Sequence, residues 1–228
     1  MSNLEPNVPG NVHAENPGGA GGKPLHIAGA GTMAIYLLVA SLTVLFAASI
    51  AGYLIIRFRF DVHVHIPLPP TLWLSTALII ISSVTIQVAL SAIRRNNEKA
   101  CRIGLLITLA LGVAFLVVQV FNWLALAHGF HQASAQLAVQ QRNLHGASAP
   151  HHSIVDLRHM LYAAFYAFTF LHAAHVVGGL IPLAFVAYHA YYGQYSANYH
   201  PGVRYVTIYW HFLTVVWIVL FAMMFLTL

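Results

Sequence analysis

The chain alternates between long apolar runs and short polar connections. Five runs, approximately 30–56, 71–93, 103–126, 159–191 and 205–226, are each long enough for the ~20 residues a helix needs to cross a bilayer core. The pattern predicts an all-α, polytopic membrane protein, with a five-transmembrane-helix bundle over residues 28–228. Pro67, Pro69 and Pro70 punctuate the approach to the second run, and Gly193 closes the fourth. The fourth run exceeds a minimal span and should tilt or protrude. Pro182 inside it should kink the helix, with neighbouring helices covering the freed carbonyl.

Two stretches fall outside the apolar pattern. Met1 to Lys23 is rich in Gly, Pro and Asn, as in Pro17-Gly18-Gly19, and residues 1–27 are expected to form a disordered cytoplasmic tail. The tail lacks the features of a secretory signal and of an Arg- and Ser-rich transit peptide, which points to a bacterial inner (plasma) membrane. Between the third and fourth runs, residues 128–158 are expected to form an outer loop carrying His128, His131, His145, His151 and His152. A solvated polar loop is preferred there over a metal-scavenging one, because no Cys, Asp or Glu joins the histidines at ligand spacing.

Composition supports the pattern. Hydrophobic residues make up 59% of the chain and charged residues 7%, against about 25% charged in soluble domains. The net charge of +5 therefore reads as topology and not as nucleic-acid binding. Arg94, Arg95, Lys99 and Arg102 form the densest basic cluster, which places that loop in the cytoplasm. The N-terminus is then cytoplasmic and the C-terminus outside. Cys101 stands alone, so no internal disulfide can form, and a small buried side chain is the expectation.

The polar residues inside the runs carry what chemistry there is. They are Gln87, Gln119, Asn122, His172, His175 and His211, and no Asp or Glu accompanies them. A proton pump or ion-coupled transporter normally needs carboxylates there, so the chain is a poor proton carrier. Each polar group should face the protein interior, since an unpaired one costs a few kcal/mol in lipid. His172 and His175 are three apart and share a helical face. Neutral hydrogen-bonded packing is the leading reading of the pair. Contact with a lipid head group or another subunit comes second. Metal or haem ligation, with His211 or His189 completing the set, comes third. Small residues mark the expected helix contacts: Ala47, Ala48 and Gly52, then Gly104 and Gly112, then Ala173, Ala174, Gly178 and Gly179. Trp210, Trp217, Tyr191 and Tyr192 read as interfacial anchors.

Several motifs in order resemble subunit III of the haem–copper respiratory oxidases. Phe165, Thr169, His172, His175, Val176 and Gly178 resemble that family's penultimate helix. His200 and Gly202, then Tyr209-Trp210-His211-Phe212 and Val216-Trp217, are similar to the start of its last helix. Upstream, Ser82-Ser83-Val84-Thr85 resembles an earlier helix of the family, the set Gly112, Phe115 and Gln119 resembles the next one, and Tyr53 with Arg57 resembles the end of the first. The resemblance covers Gly31 to Leu228 in a five-helix form. It implies a subunit without metal or cofactor of its own, packed against a catalytic subunit I that holds haem and copper, with subunit II as a further partner. It also implies support of proton uptake in aerobic electron transport, and a bound phospholipid.

On this reading His172, His175, Gln119, Asn122, Trp210, His211 and Arg57 form a structural polar core in contact with lipid or a partner subunit, with no catalytic residue among them. The chain departs from the family by lacking acids at Leu42, Asn122, Arg204 and Thr214. A structural role survives those losses better than proton handling does. The expected function is a non-catalytic subunit of a proton-translocating cytochrome c oxidase. The alternatives are an accessory subunit of a quinol oxidase or nitric oxide reductase, and a stand-alone cytochrome using His172, His175 and His211. The electron donor is set by other subunits.

Overall fold

In hydrocarbon a backbone must satisfy its own hydrogen bonds, and a helix does so within one segment. The computed structural model describes residues 30–59, 70–144, 152–193 and 201–227, with side chains for 31–58 except 56, and for 70–127, 163–193 and 201–226. These residues form five helices: α1 (Ala30–Arg59), α2 (Thr71–Arg94), α3 (Glu98–Leu144), α4 (His152–Tyr191) and α5 (Pro201–Thr227). All five are long and apolar enough to cross a membrane. The N-terminal tail, His145, His151 and His200 lie outside the described residues.

The expected outer loop over 128–158 is corrected by the helix bounds. Helix α3 runs on to Leu144 and α4 begins at His152, so His128 and His131 lie on α3 and His152 opens α4. Their membrane-length apolar parts are only Glu98–Ala127 and Ala163–Tyr191. The extension of α3 is rich in Ala, Gln and Leu, which are good helix formers whatever their hydropathy. An apolar-run criterion measures the part of a helix that lipid can hold, so it stops too early. Helix α5 begins at Pro201, earlier than the expected 205, because proline suits the first turn. Helix α4 runs through Pro182.

Helices α2, α3, α4 and α5 form a closed ring in which each touches its two neighbours, and α1 lies outside, against α5. Side chains tie α1 to α4 as well: Tyr53 meets Phe168 edge to face, and Phe46 meets His175. Close packing fixes which small residues matter. A Cβ on Gly104 would come within 2.8 Å of the Ala89 Cβ, and one on Gly112 within 2.8 Å of the Trp210 ring. Gly179 is likewise closed off by Tyr209, whereas the sites at Gly178 and Gly52 are open. The expectation of close approach at those last two positions is thereby corrected; they face away from neighbouring helices.

Each pair of adjacent helices is also joined by a hydrogen bond. Trp210 Nε1 donates to Ser82 Oγ at 2.9 Å and Trp217 Nε1 to Thr76 Oγ1 at 3.1 Å, tying α5 to α2. The Thr85 and Thr108 hydroxyls meet at 2.8 Å between α2 and α3. Trp123 Nε1 donates to Thr169 Oγ1 at 2.9 Å between α3 and α4. The Tyr209 hydroxyl donates to the His175 carbonyl at 3.2 Å between α4 and α5. The outer helix α1 is joined to α5 through Thr32 and Tyr205, 3.1 Å apart. Such bonds contribute about 0.6 kcal/mol each on average in membrane bundles, so packing carries most of the stability.

Candidate polar core and subunit surface

The ring closes around His172. Its imidazole is fully buried, with Trp217 of α5 at 5.1 Å, Phe115 of α3 at 5.8 Å and Phe46 of α1 at 6.4 Å between ring centroids. Phe115 also meets Trp217 edge to face at 5.0 Å. Four helices thus contribute one ring each to a single cluster, and α2 joins through the Trp217–Thr76 bond. Neither His172 nitrogen has a hydrogen-bond partner among the described residues. The side chain is held by ring packing.

His175 lies one turn on, half-buried, with Nδ1 2.7 Å from the Leu171 carbonyl and its ring 5.3 Å from Phe46. The pair therefore shares Phe46, as their spacing on one helical face allows. Gln119 and Asn122 are both fully buried on α3. Asn122 Nδ2 lies 3.5 Å from Gln119 Oε1, and Asn122 Oδ1 accepts from the Thr71 hydroxyl at the start of α2. Arg57 is half-buried near the end of α1, and its Nη1 is buried without a partner among the described residues.

The tryptophans differ from expectation. Trp210 and Trp217 were expected as interfacial anchors, yet both are fully buried in the ring. They are seven residues apart, which puts them on one face of α5, and that face is the inner one. Tyr191 and Tyr192 are exposed at the end of α4.

His211 is not part of the cluster around His172. One residue after Trp210, it is rotated by about 100° around α5 and meets α2 instead. Its Nδ1 lies 2.6 Å from Ser83 Oγ and its Nε2 3.0 Å from Gln87 Oε1. His211 is therefore not placed to complete a ligand set with the His172–His175 pair. Among the described residues no three His, Cys, Asp or Glu side chains gather in metal-holding geometry. Phe46 had no signal beyond hydrophobicity, and the joint contact of Ser83 and Gln87 with His211 could have been found from their spacing of four on α2.

Of the four positions where the family's acids are missing, three are buried in the structure. Leu42, Asn122 and Thr214 lie within the bundle, and the Thr214 hydroxyl donates to the Trp210 carbonyl at 3.0 Å. Arg204 is exposed. The one acid in the described spans, Glu98, opens α3 and pairs with Arg102 at 3.0 Å.

Comparison with known proteins agrees with this architecture. The sequence profile described as "Cytochrome c oxidase subunit III" matches residues 135–227. The cytochrome c oxidase subunit 3 of Thermostichus vulcanus is 27% identical over 201 residues, covering 85% of each chain. That of Alkalihalophilus pseudofirmus is 27% identical, covering 68% of this chain and 64% of its own. A probable subunit 3 from Rickettsia prowazekii is 29% identical over 66% of this chain, which spans only 45% of that longer protein. A ring of helices closed on buried imidazole, indole and amide groups, with a profile match over its last two helices and relatives aligned across most of its length, leads to one likeness: the chain is similar to the cytochrome c oxidase subunit III family.

Proposed function

We propose that this multi-pass membrane protein serves as the non-catalytic subunit III of a terminal haem–copper oxidase. The similarity to that family carries the reading, and the interior agrees with it. The spans close on uncharged amides, hydroxyls and rings that pair with one another or pack, which suits a scaffold. Assembly with other oxidase subunits follows from the family. The partner proposed is the catalytic subunit I, which would hold haem and copper, with subunit II beside it and phospholipid in contact with the bundle. His172, His175, Gln119, Asn122 and Trp210 act in this reading as internal supports. Arg57 and His211 sit near the surface, where lipid or a subunit can reach them.

The basic cluster at Arg94, Arg95, Lys99 and Arg102 supports a cytoplasmic loop between α2 and α3 in a bacterial inner membrane. Purification of the chain from native membranes tests the function. Co-purification with a haem–copper subunit I of the cytochrome c oxidase type is the expected result. Exclusive recovery with a quinol oxidase or nitric oxide reductase would move the chain to that complex, and recovery as a free monomer beside an intact oxidase would end the proposal.

A further inference from the structure

Most of the outer surface of the bundle is what lipid requires, with large apolar side chains such as Ile181, Phe185, Val215 and Phe225 exposed. One strip of α2 is different. Ser83, Gln87, Ser91 and Arg95 recur every four residues and line an open groove between α2 and α5, together with Val84, Val88 and His211. The groove encloses about 690 Å³. Ser83 lies at the middle of the Thr71–Arg94 span, and Arg95 just past its end, roughly 18 Å away at 1.5 Å per residue.

The hydrogen bonds in the groove determine what it offers. The Gln87 amide oxygen can only accept, so His211 Nε2 donates to it, and Nδ1 then accepts from the Ser83 hydroxyl. The Ser91 hydroxyl donates to the Gln87 carbonyl. What remains without a partner among the described residues is the Gln87 amide NH₂ and, at the end of the groove, the Arg95 guanidinium and the Asn97 amide NH₂. All are donors. An occupant must therefore supply acceptors at two depths, roughly 12 Å apart along the helix. A phospholipid has phosphate oxygens to offer Arg95, but at the depth of Gln87 its acyl chains carry no acceptor. A transmembrane helix bearing two acceptor side chains (Asn, Gln, Ser or carboxyl) roughly two turns apart meets both requirements. The small side chains of Ser91, Ala92 and Ala100 on the groove wall admit its close approach.

We propose that the α2–α5 groove holding Ser83, Gln87, Arg95 and His211 is the seat of a transmembrane helix from another oxidase subunit, one presenting acceptors to Gln87 and Arg95. The proposal rests on the subunit III reading above and names the face by which the chain docks. It is tested in the native complex with a photoreactive benzoylphenylalanine placed at Val84 or Val88 in the groove, or at Ile181 or Phe185 on the exposed face of α4. Cross-links from 84 and 88 to one haem–copper oxidase subunit, several-fold stronger than from 181 and 185, are expected. Cross-links from the groove to phospholipid alone, or equal or stronger subunit cross-links from α4, overturn the docking face while subunit membership stands. Failure of the unsubstituted chain to co-purify with any haem–copper subunit removes both. As a second readout, Gln87→Leu should lower the fraction of chain retained after detergent washing several-fold, normalised to its level in membranes. Unchanged retention overturns the proposal.

Discussion

The indole of Trp217 and the imidazole of His172 lie ring against ring at the centre of the bundle, 5.1 Å apart and tilted by 37°. The contact joins α5 to α4, and the same indole reaches α2 through Thr76 and α3 through Phe115. Truncating it removes packing on three sides at once. Trp217→Ala should destabilise the chain by about 3–5 kcal/mol, and Trp217→Phe by clearly less. Denaturant unfolding of the detergent-solubilised complex measures both; equal losses would show that the Thr76 bond, and not the ring packing, dominates.

His172 makes no hydrogen bond among the described residues, so an apolar side chain of similar size should serve nearly as well. His172→Leu is expected to cost under about 1.5 kcal/mol, as volume-conserving swaps do, and to leave the haem absorption bands of the complex unchanged. A displaced Soret band in the variant complex would contradict the support role given to this residue.

Gly112 and Gly178 form a contrasting pair. A methyl at Gly112 would meet Trp210 at 2.8 Å and Leu180 at 2.9 Å, whereas nothing lies within 4 Å of a Cβ at Gly178. Gly112→Ala should destabilise by about 1–3 kcal/mol through overpacking. Gly178→Ala should be neutral or gain up to about 1 kcal/mol of helix propensity. Thermal stability of the two variants side by side checks the sign of each.

Ser82 accepts the indole N–H of Trp210 in a fully buried setting. Ser82→Ala leaves that donor stranded and should cost about 1–3 kcal/mol. A double-mutant cycle with Trp210→Phe isolates the bond itself, which should be worth about 0.6 kcal/mol and no more than about 1.7.

Thr214 and Asn122 stand where the family often carries acids. Both are buried, and their polar atoms bond to Trp210, Thr71 and Gln119. Restoring an acid by Thr214→Asp buries a carboxyl group inside the bundle in place of a hydroxyl that bonds the Trp210 carbonyl. The expected result is a loss of several kcal/mol and a reduced level of the chain in membranes, read by immunoblot. Undiminished levels would mean that a neighbouring subunit supplies the compensating group.

The sequence alone determined that five helices cross a bilayer and roughly where, because hydrocarbon accepts only long apolar segments with internally satisfied backbones. It also determined which residues were costly enough to need an explanation, since an amide or imidazole in such a run stands out. Where α3 ends and α4 begins was not legible: past Ala127 the α3 helix is kept by propensity and no longer by hydropathy. The partners of the polar residues were not legible either. Trp210 and His211 are adjacent in the chain, yet one closes the core on Ser82 and the other opens onto the α2 groove. That division depends on how α5 is rotated against α2. Rotation is set by packing between helices distant in sequence, with Gly112 yielding room to the Trp210 ring, and no local pattern encodes it.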